Sequence, residues 1–317
     1  ADPRVARIVA DCGARIALAS DALMARLDGW LALTPELAGL TWLDAGRLAA
    51  GDPSAWRAPA VTGSSLAMLQ YTSGSTGDPR GVMLAHSNLL HNSAVIHRVS
   101  AHRPDDNGVF WLPPFHDMGL IGGILQPIYA GLSAALMAPA TFLQRPLRWL
   151  DAMSRYRATT SGAPNFAYDL CVERITDEER DALDLSAWRT SFNGAEPIRA
   201  DTITRFGDAF ARSGLRRDVI LPCDGLGEGT LLVSGGPAER PPRTMLADRR
   251  SLESGELRAA EQGGVVGASV LLVASGEPVA EQVVAVVDPD TRVACEQAEV
   301  GEIWVAAIFS ILNAAAL

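Results

Sequence analysis

Lysine is missing altogether from this chain of 317 residues: all 27 basic side chains are arginine. Set against 37 acidic residues, they leave a formal net charge of -10. No basic field therefore exists to hold nucleic acid or an anionic membrane surface. Cysteine is scarce and scattered. Cys12, Cys171, Cys223 and Cys295 lie far apart with no C-x-x-C pair. That excludes a disulfide framework and a zinc ribbon, and makes a reduced, cytoplasmic setting the default. No positively charged start leads into an apolar stretch, so no secretory leader is visible, and there is no internal repeat or long low-complexity tract.

What is abundant is core-forming material. Hydrophobic residues make up 48% and charged ones 20%, the balance of a globular protein with ample interior, not of a disordered tail, a collagen-like fibre or a coiled coil. The length allows one large domain or two ordinary ones. Residues 118–144 carry no charge and are numerous enough to cross a bilayer. Gly119, Gly122, Gly123, Pro127, Gly131 and Pro139 break that run, together with Gln126. A helix, a turn and a strand inside a packed α/β domain suit it better, so no membrane span is expected.

Short β-type runs at residues 15–18, 67–71, 109–112, 134–137, 158–161, 190–193 and 219–221 alternate with helical patterns at 87–98, 146–156 and 196–213. Ser87 suits an N-cap, Pro146 suits a helix start, and Gly214 stops the third helix. Strands alternating with helices predict an α/β fold: a doubly wound, mostly parallel sheet with helices on both faces. After Val233 the texture changes. A loop rich in Gly and Pro leads to a charged stretch, residues 246–262, that is expected to be helical. Three β-rich runs follow at 265–273, 282–287 and 302–305, with Asp288-Pro289-Asp290 as a turn. This predicts an α/β core over residues 1–233, a small β-barrel-like subdomain over 234–305 with an insertion at 243–262, and an apolar tail over 306–317.

The strongest chemical signal is the string Tyr71-Thr72-Ser73-Gly74-Ser75-Thr76-Gly77-Asp78-Pro79-Arg80-Gly81, set directly after a predicted strand. Glycines let main-chain N–H groups approach a polyanion closely, and hydroxyls donate further hydrogen bonds to phosphate oxygens. Arg80 adds a fixed positive charge with a bidentate fork. The usual P-loop, which needs Gly-Lys-Ser/Thr, is excluded by the absence of lysine. The bland alternative is a flexible Ser/Gly turn.

This string resembles the phosphate-binding signature of the adenylate-forming superfamily, and further segments resemble fatty acyl-AMP ligases within it. They are Trp111-Leu112-Pro113-Pro114-Phe115-His116-Asp117-Met118-Gly119-Leu120-Ile121-Gly122-Gly123, Phe142-Leu143-Gln144-Arg145-Pro146 and Ser154-Arg155-Tyr156-Arg157-Ala158-Thr159. Pro164-Asn165-Phe166-Ala167-Tyr168, Phe192-Asn193-Gly194-Ala195-Glu196-Pro197 and Gly301-Glu302-Ile303-Trp304-Val305 complete the series, in family order over most of the chain. The resemblance implies attack of a fatty carboxylate on the α-phosphate of ATP, giving acyl-AMP and pyrophosphate, with later transfer to an acyl carrier protein of lipid, polyketide or lipopeptide synthesis. Catalysis of that kind is mostly positioning and charge neutralisation.

The same resemblance implies residue roles. Thr72, Ser73, Gly74, Ser75, Thr76, Gly77 and Arg80 would hold the β- and γ-phosphates. Glu228 matches the family's acidic Mg²⁺ ligand. Asn193, Gly194, Ala195 and Glu196, with Asp224 and Gly225, would face the adenine. His116 would stand at the mouth of the acyl site, where Met118, Gly119, Ile121, Gly122, Asn165 and Phe166 supply walls. Thr72, His116 and Glu228 form the implied catalytic set. Ordinary core packing competes with an acyl-channel role for the apolar members, and a solvated loop carboxylate competes for Glu228. His116-Asp117 as a metal pair, and Cys171 or Cys223 as a nucleophile, stay open.

Residues 243–262 resemble the insertion that sets acyl-AMP ligases apart from acyl-CoA ligases. Three departures from the family pattern bear on activity. The chain is expected to be an internal piece of the large N-terminal domain, without the C-terminal lobe whose Lys contacts the α-phosphate. Asp224 stands where an aromatic residue is usual, and Gly227 and Gly229 replace alanines beside Glu228. A weak or inactive piece is the expectation, with a fatty acyl-CoA synthetase and a non-catalytic nucleotide- or carrier-binding module as alternatives.

Overall fold

The computed structural model describes residues 3–72, 80–261 and 267–307. The chain divides into two compact units, Ala1–Ser87 and Asn88–Leu317. The first holds α1 (Pro3–Cys12), the parallel pair β1 (Ile16–Ala19) and β2 (Thr41–Asp44), and the antiparallel hairpin β3 (Leu66–Thr72) and β4 (Arg80–Ala85). Asp44 ends β2 and caps the following turn of helix, its Oδ1 accepting the Gly46 N–H at 2.8 Å. In the hairpin Thr72 faces Arg80 across the last rung. The phosphate string therefore connects two antiparallel strands, but residues 73–79 lie outside the described residues.

The second unit is built on β5 (Asn107–Phe110), β6 (Ser133–Leu136), β7 (Thr160–Gly162), β8 (Thr190–Asn193), β9 (Ile220–Gly225), β10 (Leu232–Gly235) and, further along the chain, β13 (Glu277–Pro278). They form one seven-stranded sheet in the order β13-β10-β9-β8-β7-β5-β6. From β6 to β9 every pairing is parallel, and β10 and β13 add antiparallel strands at one edge. The strand order turns back at β5: β6 lies on one side of it and β7 on the other. Crevices at the carboxyl ends of strands beside such a switch point are where α/β sheets bind ligands.

Helices α2 (His86–Val99), α3 (Leu147–Arg155), α4 (Asn165–Arg174) and α5 (Ala200–Ala209) supply most of the cover. Alternation along the strands sorts the two faces. Val109 and Trp111 turn into a core with Trp149 and Met153 of α3, Tyr168 and Cys171 of α4 and Phe206 of α5. There Trp111 stacks on Phe142 at 3.9 Å between ring centroids, and Trp149 meets Trp188 edge-on at 5.4 Å. Burying each such ring contributes about 1.5–3 kcal/mol. Phe110, on the opposite face, stacks on Phe192 at 6.4 Å. At the amino ends of the strands Asp106 is buried against Arg189 and accepts the Arg103 N–H at 2.7 Å. Burial raises the Asp106 pKa, but these bonds outweigh it and leave the carboxyl below the usual range. The carboxyl ends of the strands remain for a site.

The region expected to be barrel-like consists of two antiparallel ribbons: β11 (Thr244–Asp248) with β12 (Ser269–Val273), and β14 (Gln282–Val287) with β15 (Glu302–Ala307). Three expectations need correction. The boundary at 233/234 falls inside β10, which pairs with β9 and so belongs to the main sheet. Residues 246–262 are not one helix. Alternating Met245 and Ala247 draw Thr244–Asp248 into a strand, and only α6 (Arg249–Glu253) is helical, capped by Asp248 through the Ser251 N–H at 2.8 Å. Ser87 sits inside the first turn of α2 instead of capping it, and its N–H donates to the Gly63 carbonyl at 2.8 Å.

The charge-free run 118–144 resolves into a π-helix (Met118–Leu125), a short helix (Gln126–Ala130), β6 and a third helical turn (Pro139–Gln144). Among the described residues no helix is long and apolar enough to cross a membrane.

Candidate active site

At the carboxyl ends of β5, β8 and β9 lies a cavity of about 200 Å³. Phe110, Phe192 and Leu221 come from the sheet face. His116, Met118 and Gly122 approach along one wall; Gly194, Ala195, Asp224 and Gly225 approach along another. Acyl-type and adenine-type segments, separated by more than seventy residues, thus share one cavity. Ala195, Asp224 and Gly225 also border a second, wider cleft of about 1140 Å³ that includes Glu196, Arg199 and Arg249.

The turn after β8 is held from beneath. Ala195 adopts a left-handed conformation with φ +68°, which swings the chain out of the strand and requires support from its surroundings. Asn165, fully buried at the start of α4, provides it. Its Nδ2 donates to the Pro197 carbonyl at 2.9 Å, and its Oδ1 accepts from the Arg199 N–H at 3.1 Å and from the Asn193 Nδ2 at 3.2 Å. The Phe166 N–H donates to Glu196 Oε1 at 3.3 Å. Gly225 is a close approach: a Cβ there would lie 1.9 Å from the Leu231 carbonyl oxygen.

His116 pairs with Asp117, Nδ1 to Oδ1 at 2.8 Å, and its side chain is 52% exposed. That hydrogen bond raises the His116 pKa above the usual histidine value, outweighing partial burial. Asp117 also accepts the Met118 N–H at 2.6 Å and so starts the π-helix. Gly122 in that helix opens onto the cavity, a Cβ there meeting only the Leu231 side chain at 3.7 Å.

Of the other residues expected at the acyl wall, Ile121 is wholly buried and Gly119 packs against the Pro113 carbonyl; neither lines the cavity. Phe166 is exposed and edge-on to Trp111 at 6.2 Å, and Asn165 braces the adenine-type turn, so these two stand apart from the cavity as well.

Glu228 is exposed on a 3₁₀ turn, Gly227–Gly229. The loop behind it is clamped by Asn92 of α2, which is buried. Its Nδ2 donates to the Leu232 carbonyl at 3.0 Å and the Gly229 carbonyl at 3.3 Å, while its Oδ1 accepts the Leu232 N–H at 3.1 Å. Asn92 escaped the motif series; its only sequence signal is an amide about one turn before Val95 and Ile96 in a helix of mixed composition. Among the described residues no three His, Cys, Asp or Glu converge as a metal cluster. His116 and Asp117 thus have no third ligand of this kind beside them among the described residues. A single exposed carboxylate does fit Mg²⁺, which is commonly held by one or two carboxylates plus substrate phosphates. The cysteine alternative gains no support. Burial drives the Cys171 thiol far up, and burial with the neighbouring Asp224 charge pushes Cys223 up to about 12, so neither offers a thiolate near neutrality.

Over residues 1–309 the chain matches the family described as AMP-binding enzyme, and it belongs to that family. Within it the relatives include fatty acid ligases and 4-hydroxyphenylalkanoate adenylyltransferases. The medium-chain-fatty-acid–[acyl-carrier-protein] ligase JamA of Moorena producens is 39% identical over 307 residues, 96% of this chain and 51% of that protein. The ligase of the same description TtuA from Teredinibacter turnerae is 42% identical over 249 residues, 78% of this chain and 38% of its own. The fatty acyl-adenylate ligase from L. pneumophila, solved with acyl adenylate and pyrophosphate, superposes with a TM-score of 0.87 at 40% identity, covering 96% of this chain and 52% of that one. The motif resemblance and the α/β architecture are thereby borne out. The chain spans about half the length, or less, of these relatives.

Proposed function

We propose that this chain carries the acyl and adenine sites of an AMP-forming fatty acid ligase. In the reaction a carboxylate oxygen of the fatty acid attacks the α-phosphorus of ATP. The bond to the β-phosphate breaks, pyrophosphate leaves, and acyl-AMP remains for transfer to an acyl carrier protein of lipid, polyketide or lipopeptide synthesis. The observation that carries this reading is the shared cavity, where His116, Met118 and Gly122 face Gly194, Ala195, Asp224 and Gly225.

His116, its pKa raised by the hydrogen bond to Asp117, receives the carboxylate at the exposed end. Phe110, Phe192 and Met118 take the alkyl chain. The turn Asn193–Pro197, braced by Asn165, presents main-chain groups to the adenine. Residues 72–80 form the proposed phosphate cradle. Mg²⁺, when bound at Glu228, would supply charge neutralisation of the phosphates. With no lysine in the chain, cationic help within it falls to arginine, and binding is expected to outlast turnover.

Calorimetric titration of this chain with a non-hydrolysable acyl-AMP analogue tests the site, and ATP–pyrophosphate exchange tests the chemistry. Tight analogue binding, weakened when Ala195 or Gly194 is enlarged, is expected. No binding of the analogue would overturn the reading. An acyl-CoA ligase is the enzymatic rival. Residues 243–262, here a ribbon strand and α6, are proposed to disfavour CoA as acceptor, and removing them from the longer protein should then allow acyl-CoA to form.

A further inference from the structure

The adenylation reading places the carboxylate at His116, and the wall that leaves His116 leads to a polar group it does not use. From Asp117 the chain follows the π-helix Met118–Leu125 to Gln126, a path of at most about 13 Å at helical rise. Gln126 lines the cavity and is 1% exposed. Its Nε2 lies 3.4 Å from His102 Nδ1, while its Oε1 is buried with no hydrogen-bond partner among the described residues. Burial lowers the His102 pKa to about 4, so the ring is neutral and accepts from the amide instead of repelling a donor. Ile96, Pro127 and Leu132 supply apolar wall to the same cavity, which Ser100 and Thr160 also line.

Native proteins rarely leave a buried amide oxygen unpaired. A purely alkyl chain filling this end would leave that oxygen without a partner, the arrangement that costs most. We propose that the Gln126 end of the cavity recognises a hydroxyl group carried by the acyl chain far from its carboxylate, making hydroxy fatty acids the preferred substrate class.

A hydroxyl both donates and accepts, so it satisfies the unpartnered atom of the Gln126 amide in either orientation of that group. A ketone could not donate to Oε1, and an ammonium would bring an unpaired charge into an apolar wall. The inference rests on the adenylation reading, yet the two fail differently.

The test is titration of the chain with non-hydrolysable acyl-AMP analogues in matched pairs, methyl-ended and ω-hydroxy, over a series of medium chain lengths. At one length the hydroxy analogue should bind about tenfold tighter than its methyl partner. Gln126→Leu should abolish or reverse that preference while still binding the methyl-ended analogue. Should Gln126→Leu fail to fold, Gln126→Met, which follows the original side-chain shape, supports the same comparison. Equal or weaker binding of the hydroxy analogue at every length, or a preference that survives in the variant, would overturn the inference and leave adenylation standing. Binding of neither analogue would bring down both.

Discussion

Asn193 Nδ2 donates to Asn165 Oδ1 at 3.2 Å, joining the end of a central strand to the first turn of the helix that precedes it in sequence. Through this contact α4 fixes the turn that presents Gly194 and Ala195 to the cavity. The site is shaped by an amide lying behind it.

Asn165→Ala should therefore do two things at once. Three hydrogen bonds are lost, one of them to the buried Asn193 amide, at a cost to stability of about 1–3 kcal/mol, read by urea denaturation. Affinity for an acyl-AMP analogue should fall about tenfold or more, because the left-handed Ala195 loses its support. Phe166→Ala, one residue away but outside the cavity, should leave affinity unchanged. Retained affinity in Asn165→Ala would reduce the bracket to a merely structural one.

Asn92→Leu should loosen the loop that carries Glu228. The leucine fits the helix but leaves the Leu232 N–H without its Asn92 partner, again at about 1–3 kcal/mol. Mg²⁺-dependent ATP affinity should drop together with stability. Glu228→Gln, at an exposed position, should lower the Mg²⁺-dependent affinity alone. If Asn92→Leu unfolds more easily but binds Mg²⁺·ATP as before, the proposed link between clamp and loop fails.

Acid binding should depend on pH through His116. Its pKa is raised by Asp117, so the imidazolium persists above the ordinary histidine range of about 6.5. The folded state gains from this pair fully below that range, and loses the gain as pH climbs through the raised value. Fatty-carboxylate affinity should decline over the same upper window. Asp117→Asn should move the decline to lower pH, observable by following the His116 ring resonances in an NMR titration alongside binding. An unmoved midpoint would sink the pairing as its cause.

Gly122→Leu should shrink the acyl cavity without disturbing the fold, since the added Cβ meets only the Leu231 side chain at 3.7 Å. Long-chain acyl-AMP analogues should lose at least about tenfold in affinity and the shortest ones little. Uniform loss across chain lengths would point to a fold defect instead.

Much of the architecture was legible from period and punctuation. The run at 109–112 reads as a strand because a buried parallel strand is a continuous apolar segment, whereas Thr190–Asn193 is mostly polar and is marked only by its place between helical patterns. The charged stretch at 246–262 misled because its arginines and glutamates suggest helix, whereas pairing with Ser269–Val273 drew its first residues into a ribbon. Legibility of the site was uneven for a related reason. Motif residues such as His116 and Gly122 advertise themselves by their neighbours. Asn165 is visible inside a motif but its bracing of the turn after β8 is not, and Asn92 and Gln126 carry no such mark, since their partners lie 140 and 24 residues away in the chain.

Guanidinium is the side-chain cation in each described ion pair that does not involve histidine, from Arg189 with Asp106 to Arg205 with Asp169. Because arginine keeps its proton beyond about pH 12, these contacts lack the alkaline weak point that ammonium groups introduce. A base titration of the chain should thus register tyrosine and cysteine, and reagents aimed at ε-amines will find no target along its length.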